Sequence, residues 1–331
     1  MADKNLNQTE TNSSCTFRTS IGGQALIEGI MMRGPEKQAI VVRDQEGNLV
    51  EKVEELKFIK DRYPILGVPL IRGTVNFLAS MVSGVKALMY SAEFYPDEEE
   101  AKPGKFELWL EQHLSSRKLE AAVIALAVVL GVGLSVFLFM VLPTLTTGAI
   151  LHFFPDFPLW GRNVVEGVLK IIIFMLYLFA CSKQSDIYRV FQYHGAEHKT
   201  IFCYEAGLPL TVENVRKQPK HHPRCGTSFL FVVIFVSIIV SSIFFGIWPM
   251  TNAFLRTLVH LLLLPLVVGI TYEFNRWVGR HVQEGGIAKI LTAPGMWMQN
   301  FTTNEPDDSM IEVAIRSLEL VLPKEKGKDE W

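Results

Sequence analysis

The stretch YHGAEHKT (193–200) holds two of the chain's eight histidines, His194 and His198, with Glu197 between them. Two imidazoles at i and i+4 share one helix face and can grip one metal ion. A neighbouring carboxylate can then act as base toward a water polarised by that ion. H-x-x-E-H is also the inverted zincin arrangement. Two ligands are too few, because a catalytic zinc takes three protein ligands and keeps one open position. The segment QPKHHPRCGT (218–227) offers His221, His222 and Cys225 in a turn stiffened by Pro219 and Pro223. Glu273, in ITYEFNRW, is a further candidate, and Arg224 or Lys199 has the charge to stabilise a developing oxyanion.

These residues need elements to hold them. DIYRVFQYHGAEHKTIFCYEAG reads as one helix, capped by Ser185 or Asp186 and ended by Gly207 and Pro209. At 100° per residue, Ile187, Phe191, His194, His198, Ile201 and Glu205 fall on one stripe, with Glu197 at its border. The histidines thus continue an apolar face. An unpartnered imidazole there is costly, so the spacing predicts either a metal or polar catalytic cluster or a satisfied structural one.

The chain is 49% hydrophobic, but unevenly so. Residues 1–70 and 273–331 read as soluble protein, and the middle carries long apolar runs. The clearest is 121–142, uncharged over 22 residues, followed by 228–248 and by 254–272 with only Arg256 and His260. The run 164–181 is interrupted by Glu166 and Lys170, i,i+4 partners that can pair or turn inward. The loop 182–227 carries Lys183, Arg189, Lys199, Arg216, Lys217, Lys220 and Arg224, whereas 143–163 carries only Arg162. The positive-inside rule therefore places 182–227 and both termini in the cytoplasm, with four spans in the plasma membrane. The segment 69–94 is apolar but contains Arg72, Lys86 and Glu93; it reads as an interfacial or re-entrant helix.

The predicted fold class is a mainly α membrane protein with a small β-containing N-terminal unit and a C-terminal helical segment. Its expected division is a disordered 1–20, a glycine-rich and β-hairpin unit 21–68, the helix 69–94, an acidic linker and amphipathic segment 95–120, the four-span domain 121–272, a cytoplasmic segment 273–322 and a solvated tail 323–331. Residues 38–53 give the hairpin signal, around Glu46-Gly47-Asn48. IGGQALIEGIMMRGP lacks the glycine spacing of a phosphate loop, so its glycines are read as aids to tight turns or close packing. In EPDDSMIEVAIRSLELVL, Ser309 and Glu312 are spaced as a capping box before an amphipathic helix. Four cysteines without a framework spacing read as reduced thiols, and the polar first twenty residues predict no cleaved signal peptide. A net charge of −2 and no basic stripe argue against nucleic acid.

The segments GGQALIEGIMMRGP, YHGAEHKTI, TVENV, HPRCGTSF, PGMWMQ and TTNEPDDSMIEVAI together resemble the YqhQ family of bacterial membrane proteins, from Ile21 to Leu322. That resemblance implies a domain of unknown function described as a predicted metal-dependent enzyme. It also implies that His194, Glu197, His198, His222 and Cys225 belong to family motifs, all intact here.

Two functions compete at this level. One is a metal-dependent hydrolase at the cytoplasmic membrane surface. It would hold zinc or a similar divalent ion through His194, His198 and one of His222, Cys225 or Glu273, with Glu197 as base and Arg224 assisting on a peptide or lipid substrate. The other is a non-catalytic membrane scaffold with a structural His/Cys cluster, whose soluble flanks dock a protein partner; a closed four-ligand site would favour it.

Overall fold

In the computed structural model of the chain, residues 17–56, 63–95, 116–154, 157–250, 252–281, 286–325 and 327–330 are described. Most of the expected linker 95–120 and the start of the expected disordered N-terminus lie outside them. The chain forms two compact units.

The first unit draws on the chain up to Leu56, on Arg189–His222 and on the chain from Thr303, joining segments that sequence order separates. Strands β1 (Gly22–Leu26), β2 (Gly29–Arg33), β3 (Lys37–Arg43) and β4 (Leu49–Glu55) make an antiparallel meander in chain order. The β3–β4 hairpin falls where the sequence signal puts it, with Gly47 at φ +89°. The β1–β2 pair comes from the glycine-rich segment and turns through Ile27 and Glu28, the latter at φ +47°. The outer strand β4 carries Glu51, Lys52, Glu54 and Glu55, charges that blunt an exposed edge.

One face of the sheet buries Ile30, Met32, Ala39 and Val41 against Ile311, Ala314 and Leu318 of the C-terminal helix, Asp308–Val321. The expected amphipathic helix is therefore present, but its cap differs. Asp307 accepts the Met310 amide at 3.0 Å and the Ser309 hydroxyl at 2.6 Å, while Glu312 pairs with Arg43. A carboxylate one residue before the first turn outcompetes a hydroxyl inside it. The tail also departs from expectation: Asp329 is buried, accepts hydrogen bonds from Thr19 Oγ1 and Tyr204 Oη, and its carbonyl receives the Ser20 amide. The tail is anchored because its carboxylate supplies the acceptor that Thr19 and Tyr204 need.

The second unit is helical. Numbered through the whole chain, its helices begin with α1 (Ile71–Ala92) and α2 (Ser116–Val136). A π-helical turn, Phe137–Val141, joins α2 to α3 (Leu142–His152). The others are α4 (Leu159–Cys181), α7 (Gly226–Ile247), α8 (Ala253–His281) and α9 (Gly286–Thr302). Between α4 and α7 the chain makes α5 (Ser185–Glu205) and α6 (Val212–Arg216), and Asp308–Val321 is α10.

Among the described residues, four helical stretches are long and apolar enough to cross a membrane: Ala125–His152, Gly161–Cys181, Gly226–Ile247 and Ala253–His281. The first runs ten residues past the expected end at 142. Pro143 lacks an amide donor, and the π turn just before it absorbs the lost hydrogen bond without ending the helix. Helix α1 is not among the four. It docks on α8, where Gly73 approaches Gly269 and Tyr272 and where Arg72 forms a two-pronged ion pair with Glu273.

Candidate functional site

Helix α5 carries the HGAEH motif. It ends as expected, in a Schellman motif: Gly207 sits at φ +66°, its amide reaches Tyr204 O, and the Leu208 amide reaches Cys203 O. Its burial is less expected. From Gly195 to Ile201 every residue is buried, so the polar run Glu197-His198-Lys199-Thr200 has no solvated face. Such burial requires partners all round the helix. Lys199 Nζ is 3.0 Å from Arg216 O and 2.8 Å from Glu305, and the Thr200 hydroxyl donates to Ala196 O. Lys199 is thereby committed to structure.

The glycine-rich N-terminal hairpin supplies the other partners. Glu28, in the β1–β2 turn, is clamped by the guanidinium of Arg189 and by the Tyr193 hydroxyl at 3.1 Å. The Gly23 amide donates to Glu197 Oε1 at 2.9 Å, and the Thr19 amide donates to Glu205 Oε1 at 2.9 Å. The spacings match: four extended residues from Thr19 to Gly23 span roughly 13 Å, and eight helical residues from Glu197 to Glu205 about 12 Å. The N-terminal segment therefore runs antiparallel along α5, fixing two of its carboxylates, Glu197 and Glu205, and placing its own Glu28 carboxylate on Arg189 and Tyr193.

The histidines group on the same helix and on the turn after α6. The His194 and His198 rings have centroids 4.3 Å apart, and His198 and His222 lie 5.5 Å apart. Two imidazoles sharing a tetrahedral zinc have ring centres roughly 5 Å apart, given a metal–nitrogen distance of about 2.0 Å. His198 Nδ1 lies 2.5 Å from the Lys220 carbonyl, which can only accept, so Nδ1 carries the proton and Nε2 is left as the donor atom toward a metal. The buried Glu205 carboxylate stands 4.0 Å from His222 Nε2 and can orient that ring in the same way.

His221 is next to this group and within electrostatic reach of His198. Burial, followed by the charges of Lys220 and His198, lowers its pKa. Its Nε2 is buried and has no hydrogen-bond partner among the described residues. A buried imidazole nitrogen without a partner is costly, so this atom is a candidate for a ligand or water contact. His194 and His198 have the ring spacing of two ligands to one zinc-like ion.

The remaining candidates lie in the second unit. Cys225 is the N-cap of α7, with its sulfur accepting the Thr227 amide at 3.4 Å. Arg224 precedes it and is half-buried. The Glu273 carboxylate is taken up by Arg72. Cys181, Cys203 and Cys225 are free thiols, and burial raises the pKa of Cys203.

Sequence reasoning missed Gly23, Glu28 and Glu205 as parts of this site. The signal was present in Gly22-Gly23: paired glycines open a strand and let its backbone approach another element closely. A Cβ on Gly23 would stand 3.0 Å from Glu197 Cδ and 2.7 Å from Met31 O.

Residues 68–324 match a family described as a protein of unknown function, DUF1385. The chain is 34% identical over 311 residues to the uncharacterized protein YqhQ of Bacillus subtilis (strain 168), covering 91% of this chain and 92% of that protein. No solved structure matches. With the match spanning most of its length and the HGAEH helix inside it, the chain belongs to the DUF1385 family, alongside the YqhQ protein.

Proposed function

We propose that this membrane protein is a metal-dependent hydrolase whose site is built on α5. The observation that carries the reading is the close approach of His194 and His198 on one face of α5, their rings 4.3 Å apart, with the His198 Nδ1 proton directed to the Lys220 carbonyl so that Nε2 is the donor atom toward a metal. His194 and His198 hold the ion, and the turn 218–225 supplies the third ligand. His222 is favoured there. Cys225 is kept within about 11 Å of His222 by three residues of chain. When bound, a zinc-like ion polarises water and the substrate carbonyl.

The chain's own residues do the rest. Glu197, anchored at Oε1 by the Gly23 amide, accepts the proton of the attacking water and returns it to the leaving amine or alcohol. Because Lys199 is committed to Glu305 and Arg216 O, Arg224 is assigned to the developing oxyanion. A peptide or lipid-ester substrate suits a protein that carries membrane spans. The lysine and arginine asymmetry of the loops supports a site on the cytoplasmic side of the plasma membrane.

The test is metal analysis of detergent-purified protein, followed by a panel of fluorogenic peptides and esters. About one zinc-like ion per chain is expected, together with hydrolysis that Glu197→Gln abolishes without removing the metal. Protein that carries no metal, and takes up none on reconstitution, makes the histidine group a structural cluster and the chain a scaffold.

A further inference from the structure

The second unit buries a group of charges that the proposed hydrolase does not use. The first turns of α4 place Arg162, Glu166 and Lys170 at i, i+4 and i+8, one stripe of the helix. The first turns of α8 place Arg256 and His260. Glu166 is 2% exposed. Its Oε1 accepts from Thr144 Oγ1 at 2.9 Å and from His260 Nε2 at 2.9 Å, and Lys170 Nζ is 3.2 Å away. Its Oε2 accepts from Arg256 Nη2 at 2.8 Å. That same nitrogen donates to Asn163 Oδ1 at 3.0 Å, and the guanidinium lies over the Phe245 ring. Arg162 is within Coulombic reach of Glu166 and Arg256.

Among the described residues the charges do not balance: the buried Lys170 and Arg256 and the partly buried Arg162 face one carboxylate, and a buried cation without a counter-charge is costly. Donors are also in excess. Arg256 Nε, Arg162 Nε and the hydroxyl of the fully buried Thr147, one turn beyond Thr144, have no hydrogen-bond partner among the described residues. Glu166 does not serve them: its Oε1 takes Thr144, His260 and Lys170, and its Oε2 takes Arg256 Nη2. What the group lacks is an acceptor that carries negative charge.

Its depth narrows the chemistry. Arg162 and Arg256 are each the fourth residue of their helices, so the two guanidinium-bearing positions lie about 5 Å inside the helix ends, with Glu166 at about 10 Å and Lys170 deeper, at about 17 Å. The level of the two arginines is that of lipid phosphates and the first acyl carbons. We propose that Arg162, Arg256 and Thr147 form a binding site for a phosphate oxyanion, set at the rim of the helical bundle, with Lys170 adding positive charge from a deeper turn. Glu166 and His260 hold the two basic helices together beneath it. The phosphate is either a lipid phosphodiester or free phosphate.

Two arms separate the sources. Full-length protein in nanodiscs containing phosphatidylglycerol is examined by native mass spectrometry for retained lipid. Protein stripped of lipid in a neutral detergent is titrated with inorganic phosphate by equilibrium dialysis. Retention of phosphatidylglycerol that phosphate does not displace assigns the lipid, and saturable phosphate binding in the stripped protein assigns the free ion. Arg162→Gln and Thr147→Val each remove one orphaned donor and leave the Glu166 network intact, so one folded variant suffices. Each should weaken binding about tenfold or more, with an unchanged thermal melt. Asp156, in the loop before α4, lies outside the described residues, so Asp156→Asn is included. Binding unchanged in that variant supports the assignment. Binding seen only in Asp156→Asn would show that a carboxylate of the chain fills the site and would overturn the proposal, as would no binding in either arm.

Discussion

The amide of Gly23 points at the carboxylate of Glu197, 2.9 Å from Oε1, although 174 residues separate the two in the chain. No side chain can stand between them: a Cβ at position 23 would come within 2.9 Å of Met32 Sδ and 2.7 Å of Met31 O. The carbonyl belongs to the paired strand and cannot yield as a flexible tip would. Gly23→Val is therefore expected to destabilise the first unit by about 1–3 kcal/mol through overpacking. The milder Gly23→Ala should shift Glu197, lowering any hydrolytic rate while metal content stays the same. Thermal melts by circular dichroism and metal analysis on the same samples separate the two effects. An alanine variant with full activity would show that the amide does not position Glu197.

The ligand set is open to direct test. His194→Ala and His198→Ala should each abolish stoichiometric metal, since either loss leaves too few ligands. Glu197→Gln should retain it. Glu205→Gln is the sharper probe because Glu205 is no ligand: it accepts the Thr19 amide and faces His222 Nε2 at 4.0 Å. If His222 binds the ion, this change should weaken metal affinity about 10- to 100-fold, as loss of an orienting partner does. Competition with a chromogenic chelator measures it. If Glu205→Gln and His222→Ala both leave affinity unchanged, the third ligand is His221 or Cys225, and single substitutions of those two decide.

Gly195 makes a second close approach. A Cβ there would fall 2.0 Å from the Asn304 carbonyl, and the Asn304 amide donates to Phe191 O at 2.9 Å, so backbone lies against backbone. Gly195→Ala is expected to cost about 3 kcal/mol or more, at the upper end of overpacking effects. The readout is the urea midpoint of the purified protein. A shift no larger than that of a surface alanine substitution would show that the 303–306 segment is free to move off the helix.

Much of this was legible from periodicity. The four apolar runs, the β3–β4 hairpin and the amphipathic C-terminal helix each bury one face or one length, and local spacing reports that. What escaped were contacts between distant segments. The stripe drawn through His194 and His198 predicts a solvated opposite face, yet Lys199 is 5% exposed because Glu305 and the Arg216 carbonyl meet it there. The pairing of Glu166 with Lys170 was readable at i,i+4, but Arg256 and His260 arrive from another helix with no local signal. Asp329, in a tail of lysine and glutamate, looks solvated until Thr19 and Tyr204 are brought to it.

The last prediction concerns α1 and the orientation of the chain. Its first turns are pinned to α8: Arg72 pairs with Glu273, Thr74 Oγ1 donates to Pro265 O at 2.8 Å, and Asn76 Nδ2 donates to Tyr272 Oη at 3.0 Å. Beyond them, Leu78, Met81, Val82, Val85 and Met89 recur at helical spacing and are 39–56% exposed. An apolar stripe of this kind, on a helix that keeps Arg72 and Lys86, suits a helix lying in the membrane interface. Cysteines introduced at Tyr63 and Tyr95, in a background whose four native cysteines are serine, should therefore react with an impermeant maleimide from the same side. That side should be the cytoplasmic one, shared with a cysteine at Gln218, while one at Phe157 reacts from outside. Labelling of positions 63 and 95 from opposite sides would make α1 a fifth span, and reversal at 157 and 218 would move the histidine site to the outer surface.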